Sequence, residues 1–193
     1  MPTESMRLSA DDLLRTPVPP HLRGYELVDG ELVEVTPVSF AHGCIAAELA
    51  FRLSAHVREQ GLDGHVCIEG GYVLHLPQDA ERLRGPDVSY VSGASLRQSG
   101  GAPAHGFARF VPDLVIEVDS PGRRPRVEQE RIQNYIDAGV RLLWVVHTET
   151  RSATAYRPDG SARVLRAREA LDGEDVLPGL RLPLSDVFAR IPS

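Results

Sequence analysis

A chain of 193 residues with 42% hydrophobic and 25% charged side chains fits one soluble domain with a substantial core. No apolar run approaches a membrane span, and the N-terminus has neither a basic flank nor an apolar signal core, so a cytoplasmic protein is expected. The net charge of −6 argues against a general nucleic-acid coat protein but not against an enzyme whose local charge opposes the net value.

Residues 1–8 and 191–193 are expected as loose ends of a single domain spanning 1–193. Ser9 reads as the N-cap of a short helix through Leu14, stopped by Pro17, Pro19 and Pro20. From Tyr25 to Val35 the chain alternates around Asp29-Gly30, a strong β-hairpin signal. Ile45, Leu49 and Leu53 recur at helical spacing, which predicts an amphipathic helix from Ala41 to Gln60 ending before Gly61. His65–Leu76 and Pro86–Val91 read as strands separated by a polar turn over 77–84, and the Gly-, Ser- and Ala-rich stretch 92–106 as a loop. Leu114–Asp119 is a nearly continuous apolar run, as expected of a central strand covered on both faces. A helix is expected over 125–138, stopped by Gly139, then a buried strand over 141–147. A second hairpin around Pro158-Asp159-Gly160 and a short helix over 185–190 complete the chain. This order is that of an α/β fold with a mixed sheet, and no Gly-rich phosphate loop follows any strand.

Two acidic positions stand out. Asp87 lies in Arg84-Gly85-Pro86-Asp87-Val88, and Glu117 in Val111-Pro112-Asp113-Leu114-Val115-Ile116-Glu117-Val118-Asp119. Strand alternation puts Val115, Glu117 and Asp119 on one face. A carboxylate among such apolar neighbours requires a partner: a cation, an arginine or a hydrogen-bond network. Two carboxylates on neighbouring strands can hold one hard cation such as Mg²⁺ or Mn²⁺, which takes oxygen ligands. The ordinary alternatives are a turn aspartate for Asp87 and a buried arginine pair for Glu117. Cys44 and Cys67 lack metal-ligand spacing and read as reduced thiols. All 21 cationic side chains are arginine, scattered along the chain as a GC-rich coding bias would leave them.

The ordered set Tyr25-Glu26-Leu27-Val28-Asp29-Gly30-Glu31-Leu32, His42, Pro86-Asp87-Val88, Pro112–Val118 with Ser120-Pro121, Tyr135 with Ala138-Gly139-Val140, Trp144, and Leu177-Pro178-Gly179 resembles the Uma-two family of restriction-endonuclease-like proteins. The resemblance runs from about residue 9 to residue 190. It implies the fold of the PD-(D/E)XK nucleases: a mixed β-sheet flanked by helices, with hairpins added at the edges. It implies Asp87 and Glu117 as metal ligands, with Asp119 at the position two residues beyond the acid, where the superfamily usually has lysine. It implies that the basic group comes instead from the following helix, at Arg131, and places His42 near the cleft. The chain departs from the family pattern at Val127, at His147-Thr148 and at Asp119.

The expected function is a divalent-metal-dependent endonuclease acting on DNA, with Asp87, Glu117, Arg131 and His42 as catalytic residues and Mg²⁺ or Mn²⁺ held by Asp87, Glu117 and Asp119. Arg123, Arg124 and Arg126, at the start of the second long helix, are candidate phosphate contacts, a solvated helix start being the plainer explanation. A double-strand cut would be easiest to explain with a homodimer. The rival is a catalytically impaired module of the same fold that binds nucleic acid or a protein partner, favoured by the absence of lysine: arginine stays charged and is a poor general base.

Overall fold

The computed structural model describes residues 7–15, 25–34, 38–77, 80–119 and 125–189. Its centre is a six-stranded mixed sheet of β3 (Gly64–Ile68), β6 (Val88–Ser92), β7 (Leu114–Val118), β8 (Leu142–His147), β9 (Ser152–Tyr156) and β10 (Ala162–Leu165), in the order β10-β9-β8-β7-β6-β3. Only β7 and β8 are parallel, joined through helix α4 (Pro125–Asp137); the other neighbours pair antiparallel. A second, antiparallel sheet runs β2 (Glu31–Glu34), β1 (Tyr25–Val28), β5 (Ala80–Arg84), β4 (Tyr72–Leu76).

Alternation along β7 divides the molecule into two cores. Leu114, Ile116 and Val118 pack with Ile45, Leu49 and Leu53 of helix α2 (Phe40–Glu59) and with helix α5 (Leu184–Phe188). Val115 faces the other way, joining Tyr135 of α4 and Tyr72 and Leu74 of the second sheet. Every side chain of β7 is buried, as the apolar run predicts. A third cluster seats helix α1 (Ala10–Arg15) on Leu27, Val73 and Leu83. Asp29 and Gly30 both have positive φ, 51° and 78°, which closes the β1–β2 hairpin. A Cβ at Gly30 would also come within 2.5 Å of the Arg7 side chain.

Three expectations are corrected. Residues 65–76 form two strands in different sheets, broken where Glu69 takes φ 52° and where a Cβ at Gly71 would meet Phe107 at 2.5 Å. The turn expected over 77–84 contains β5. The loop expected over 92–106 begins with helix α3 (Gly93–Gln98), because Ser92 Oγ accepts from Ser95 N at 3.2 Å and caps it. Near the C-terminus β11 (Ala170–Asp172) and β12 (Arg181–Pro183) make a two-stranded sheet with too few alternating residues to read in advance. Ser120, Pro121, Arg123 and Arg124 lie outside the described residues.

Candidate functional site

Asp87 immediately precedes β6, and Glu117 is the fourth residue of β7. The ladder pairs Val88 with Ile116, so Asp87 and Glu117 follow at the same end of the β6–β7 pair, and their side chains take partners from different helical layers, His42 of α2 for Asp87 and Arg131 and Tyr135 of α4 for Glu117. Asp87 Oδ2 accepts the Val118 backbone N–H at 2.7 Å, which fixes the carboxylate beside the end of β7. Its Oδ1 lies 3.2 Å from His42 Nε2. His42 stands in the first turn of α2, where Ser39 Oγ caps its backbone N–H at 3.2 Å. It is buried, only 3% exposed, and not a solvated helix-start side chain. Helix α2 covers one face of the sheet and α4 the other, and both layers reach this end of β7.

Glu117, 4% exposed, is held from the α4 side. Its Oε1 accepts from Arg131 Nη2 at 2.7 Å and from Tyr135 Oη at 2.7 Å. Arg131 and Tyr135 are one helical turn apart, so both reach one carboxylate. Arg131 Nη1 donates to Glu26 Oε1. Glu26 Oε2 in turn takes Arg84 Nη1 at 2.8 Å, and Arg84 Nη2 donates to Asn134 Oδ1 at 2.6 Å. The β1–β5 register explains the Glu26–Arg84 pair, since Leu27 faces Leu83 and the step before sets Glu26 against Arg84. The result is a buried chain of alternating charge: Arg84, Glu26, Arg131, Glu117.

Burial alone would pull the Arg131 pKa down, but Glu117, Tyr135 and Glu26 outweigh it and hold the guanidinium well above its ordinary range. Burial, reinforced by Glu117, pushes the Tyr135 phenol far up, so it remains an O–H donor. Arg131 Nε is buried without a hydrogen-bond partner among the described residues, leaving Nη1 and Nη2 to carry the clamp.

Asp119 falls in a different group from the one expected. It follows the last residue of β7, and the parallel register that pairs Val118 with Val146 brings it beside His147. That neighbour lies on the β8 side, whereas Asp87 approaches from the β6 side. Glu128, in the first turn of α4, completes a triple with Asp119 and His147 whose ligand atoms all lie within 4.8 Å of one another. Among the described residues no other group of three or more His, Cys, Asp or Glu meets that spacing. Arg126 is exposed at the start of α4; Arg123 and Arg124 are outside the described residues. Glu48, also on α2, is half-buried and accepts from Arg52 Nε at 2.7 Å.

Sequence reasoning passed over Glu26, Arg84 and Asn134. The signal for Glu26 and Arg84 was their placement one residue from the core-facing Leu27 and Leu83 in strands that pair; nothing local marks Asn134.

This arrangement sits on a fold already seen in solved structures. The protein resembles the crystal structure of a putative nuclease belonging to DUF820 from Anabaena variabilis ATCC 29413, with a TM-score of 0.78 at 18% identity, covering 94% of this chain and 98% of that one. No curated protein sequence matches. The profile of the family Uma2, described as "Putative restriction endonuclease", matches residues 10–185, and the chain belongs to that family. No helix among the described residues is long and apolar enough to cross a membrane.

Proposed function

We propose that this protein is a divalent-metal-dependent endonuclease hydrolysing phosphodiester bonds in DNA, acting in the cytoplasm. One observation supports the reading: Asp87, just before β6, and Glu117, near the end of the adjacent β7, lie at one end of that strand pair, and each has a cationic or titratable partner from a helix, His42 for Asp87 and Arg131 for Glu117. The family and the nuclease fold agree with it.

The donor set fits Mg²⁺ or Mn²⁺, which take carboxylate oxygens. A carboxylate has about four lone-pair sites, so a hydrogen-bonded one can also coordinate an ion. Asp87 and Glu117 would hold the ion, which when bound supplies a Lewis acid and lowers the pKa of its water. His42 is placed to orient the Asp87 carboxylate and to exchange a proton beside it. Arg131 stays charged and supplies fixed positive charge next to Glu117, a role suited to stabilising developing negative charge. Arg126 remains a candidate phosphate contact, together with Arg123 and Arg124, and a homodimer would supply the second cut of a duplex.

A rival has its own observation. Arg131 is clamped between Glu26 and Glu117, as in a structural ion pair, and the chain has no lysine. A catalytically impaired module of the same fold, binding nucleic acid or a protein partner, has this arrangement too. Plasmid nicking with Mg²⁺ and Mn²⁺ separates the two. Wild type should nick, Asp87→Ala and Glu117→Ala should abolish nicking, and Arg131→Lys should raise it, because lysine can exchange a proton. No nicking by wild type or by Arg131→Lys would establish the impaired module.

A further inference from the structure

We propose that Asp119, Glu128 and His147 form a binding site for a first-row transition-metal dication of the Zn²⁺ type, separate from the carboxylate pair of Asp87 and Glu117. The three side chains come from three elements: the end of β7, the first turn of α4 and the end of β8. Each is half-buried, with its ligand atom within 4.8 Å of the other two.

Two further observations suit a metal site. His147 Nδ1 and Asp119 Oδ2 are 3.5 Å apart. Charge-assisted hydrogen bonds run at about 2.7–2.9 Å. Ligands each about 2.1 Å from a tetrahedral zinc lie roughly 3.4 Å from one another. The separation is long for such a hydrogen bond and suits two ligands on one ion. The opposite ring nitrogen, His147 Nε2, lies 3.1 Å from Thr154 Oγ1, a buried hydroxyl on the adjacent strand β9. Such a partner on the far nitrogen holds a ligating imidazole in orientation, and with Nε2 donating to it Nδ1 presents a lone pair. Asp119 is anchored as well: its backbone N–H donates to Val146 O at 2.8 Å, and its carbonyl accepts from Thr148 Oγ1 at 3.3 Å.

One imidazole with two carboxylates selects against Mg²⁺, which prefers an all-oxygen, largely hydrated shell, and towards Zn²⁺ or Mn²⁺. Three protein ligands leave further coordination positions to water or to a bound molecule. The proposal does not require that the protein cuts DNA.

Zn²⁺ titration by calorimetry, alongside thermal melts of the same proteins, tests it. Wild type should bind at least one Zn²⁺ per chain and melt higher with it, since a ligand of the folded state alone stabilises that state. His147→Gln and Asp119→Asn should each weaken binding by about tenfold or more and lose the shift in melting temperature. Asp87→Asn should still bind one Zn²⁺ per chain, and Mg²⁺ should not displace it at equal concentration. Circular dichroism of the metal-free variants checks that each is folded, and Glu128→Gln serves as a third ligand variant. Binding in His147→Gln equal to wild type, no saturable binding in wild type, or loss of binding in Asp87→Asn would overturn the site. Failure of DNA nicking alongside intact Zn²⁺ binding would sink the nuclease reading and leave this one standing.

Discussion

The chain contains two Pro-Asp pairs that enter adjacent strands, Pro86-Asp87 before β6 and Pro112-Asp113 before β7, and the two aspartates are put to different use. Asp113 is 4% exposed and surrounded by donors: the Ser92 backbone N–H at 2.7 Å, Ser95 Oγ at 3.0 Å and Arg141 Nη1 at 3.0 Å. It ties the start of β7 to the cap of α3 and to the start of β8. Among the described residues Asp87 takes one backbone donor, Val118 N, and faces the His42 imidazole, with Glu117 near the same end of the sheet. A carboxylate saturated by fixed donors serves as a rivet. One that shares its end of the sheet with a second acid and a histidine has the surroundings of a site. The dipeptide is the same; the neighbours brought by the antiparallel ladder decide.

The strongest way to break this contrast is to neutralise each aspartate in turn. Asp87→Asn should cut metal-dependent nicking by about a thousandfold, as loss of a metal ligand does, with little change in urea stability. Asp113→Asn should do the reverse. It should cost about 2–4 kcal/mol, because an amide turns a donor towards groups that themselves donate, while nicking per folded molecule stays near wild type. Equal losses of activity in both variants would erase the distinction.

A second experiment sharpens the contrast on the Glu117 side. Glu26 touches neither Asp87 nor the proposed cation, yet it bridges Arg84 and Arg131 inside the protein. Glu26→Ala leaves two buried guanidinium groups short of a carboxylate and should cost about 3–5 kcal/mol by equilibrium urea unfolding. Glu26→Gln, which keeps the shape and one acceptor, should cost less. An alanine variant as stable as wild type would mean that water replaces the carboxylate, and that this arginine chain does not hold α4 to the second sheet.

Much of this was legible in the residues, for identifiable reasons. The run from Leu114 to Val118 showed a doubly covered strand because every position is apolar except Glu117, and alternation alone put Glu117 on the opposite face from Ile116. The spacing of Arg131 and Tyr135 placed both on one side of α4, and the structure joins both to Glu117. What sequence could not give was lateral order. Asp119 shares a face with Glu117, which suggested a common cluster with Asp87, but its nearest partner is set by the parallel neighbour β8, and nothing local encodes which strand lies on which side. The same blindness hid Glu26 and Arg84, which meet only because β1 and β5, more than 50 residues apart in the chain, pair in one register. The break at Gly70-Gly71 was missed because a continuous strand and two strands in different sheets have the same alternation.

The smallest expected effect is a pH dependence belonging to Asp113. Burial pushes its pKa up, but the Ser92 N–H, the Ser95 hydroxyl and Arg141 more than offset that, so in the folded protein it lies below the ordinary 3.8. A depressed folded-state pKa means that the unfolded chain binds the proton more readily. The stabilisation is therefore complete above the unfolded value and is lost as pH falls through the folded one. Urea unfolding of wild type and Asp113→Asn should show a constant gap from about pH 7 down to about pH 5, narrowing below about pH 4, where both proteins carry a neutral group at this position. A gap that stays constant into acid would show that Asp113 acts through shape and not through charge, and the rivet would then need no ionised carboxylate.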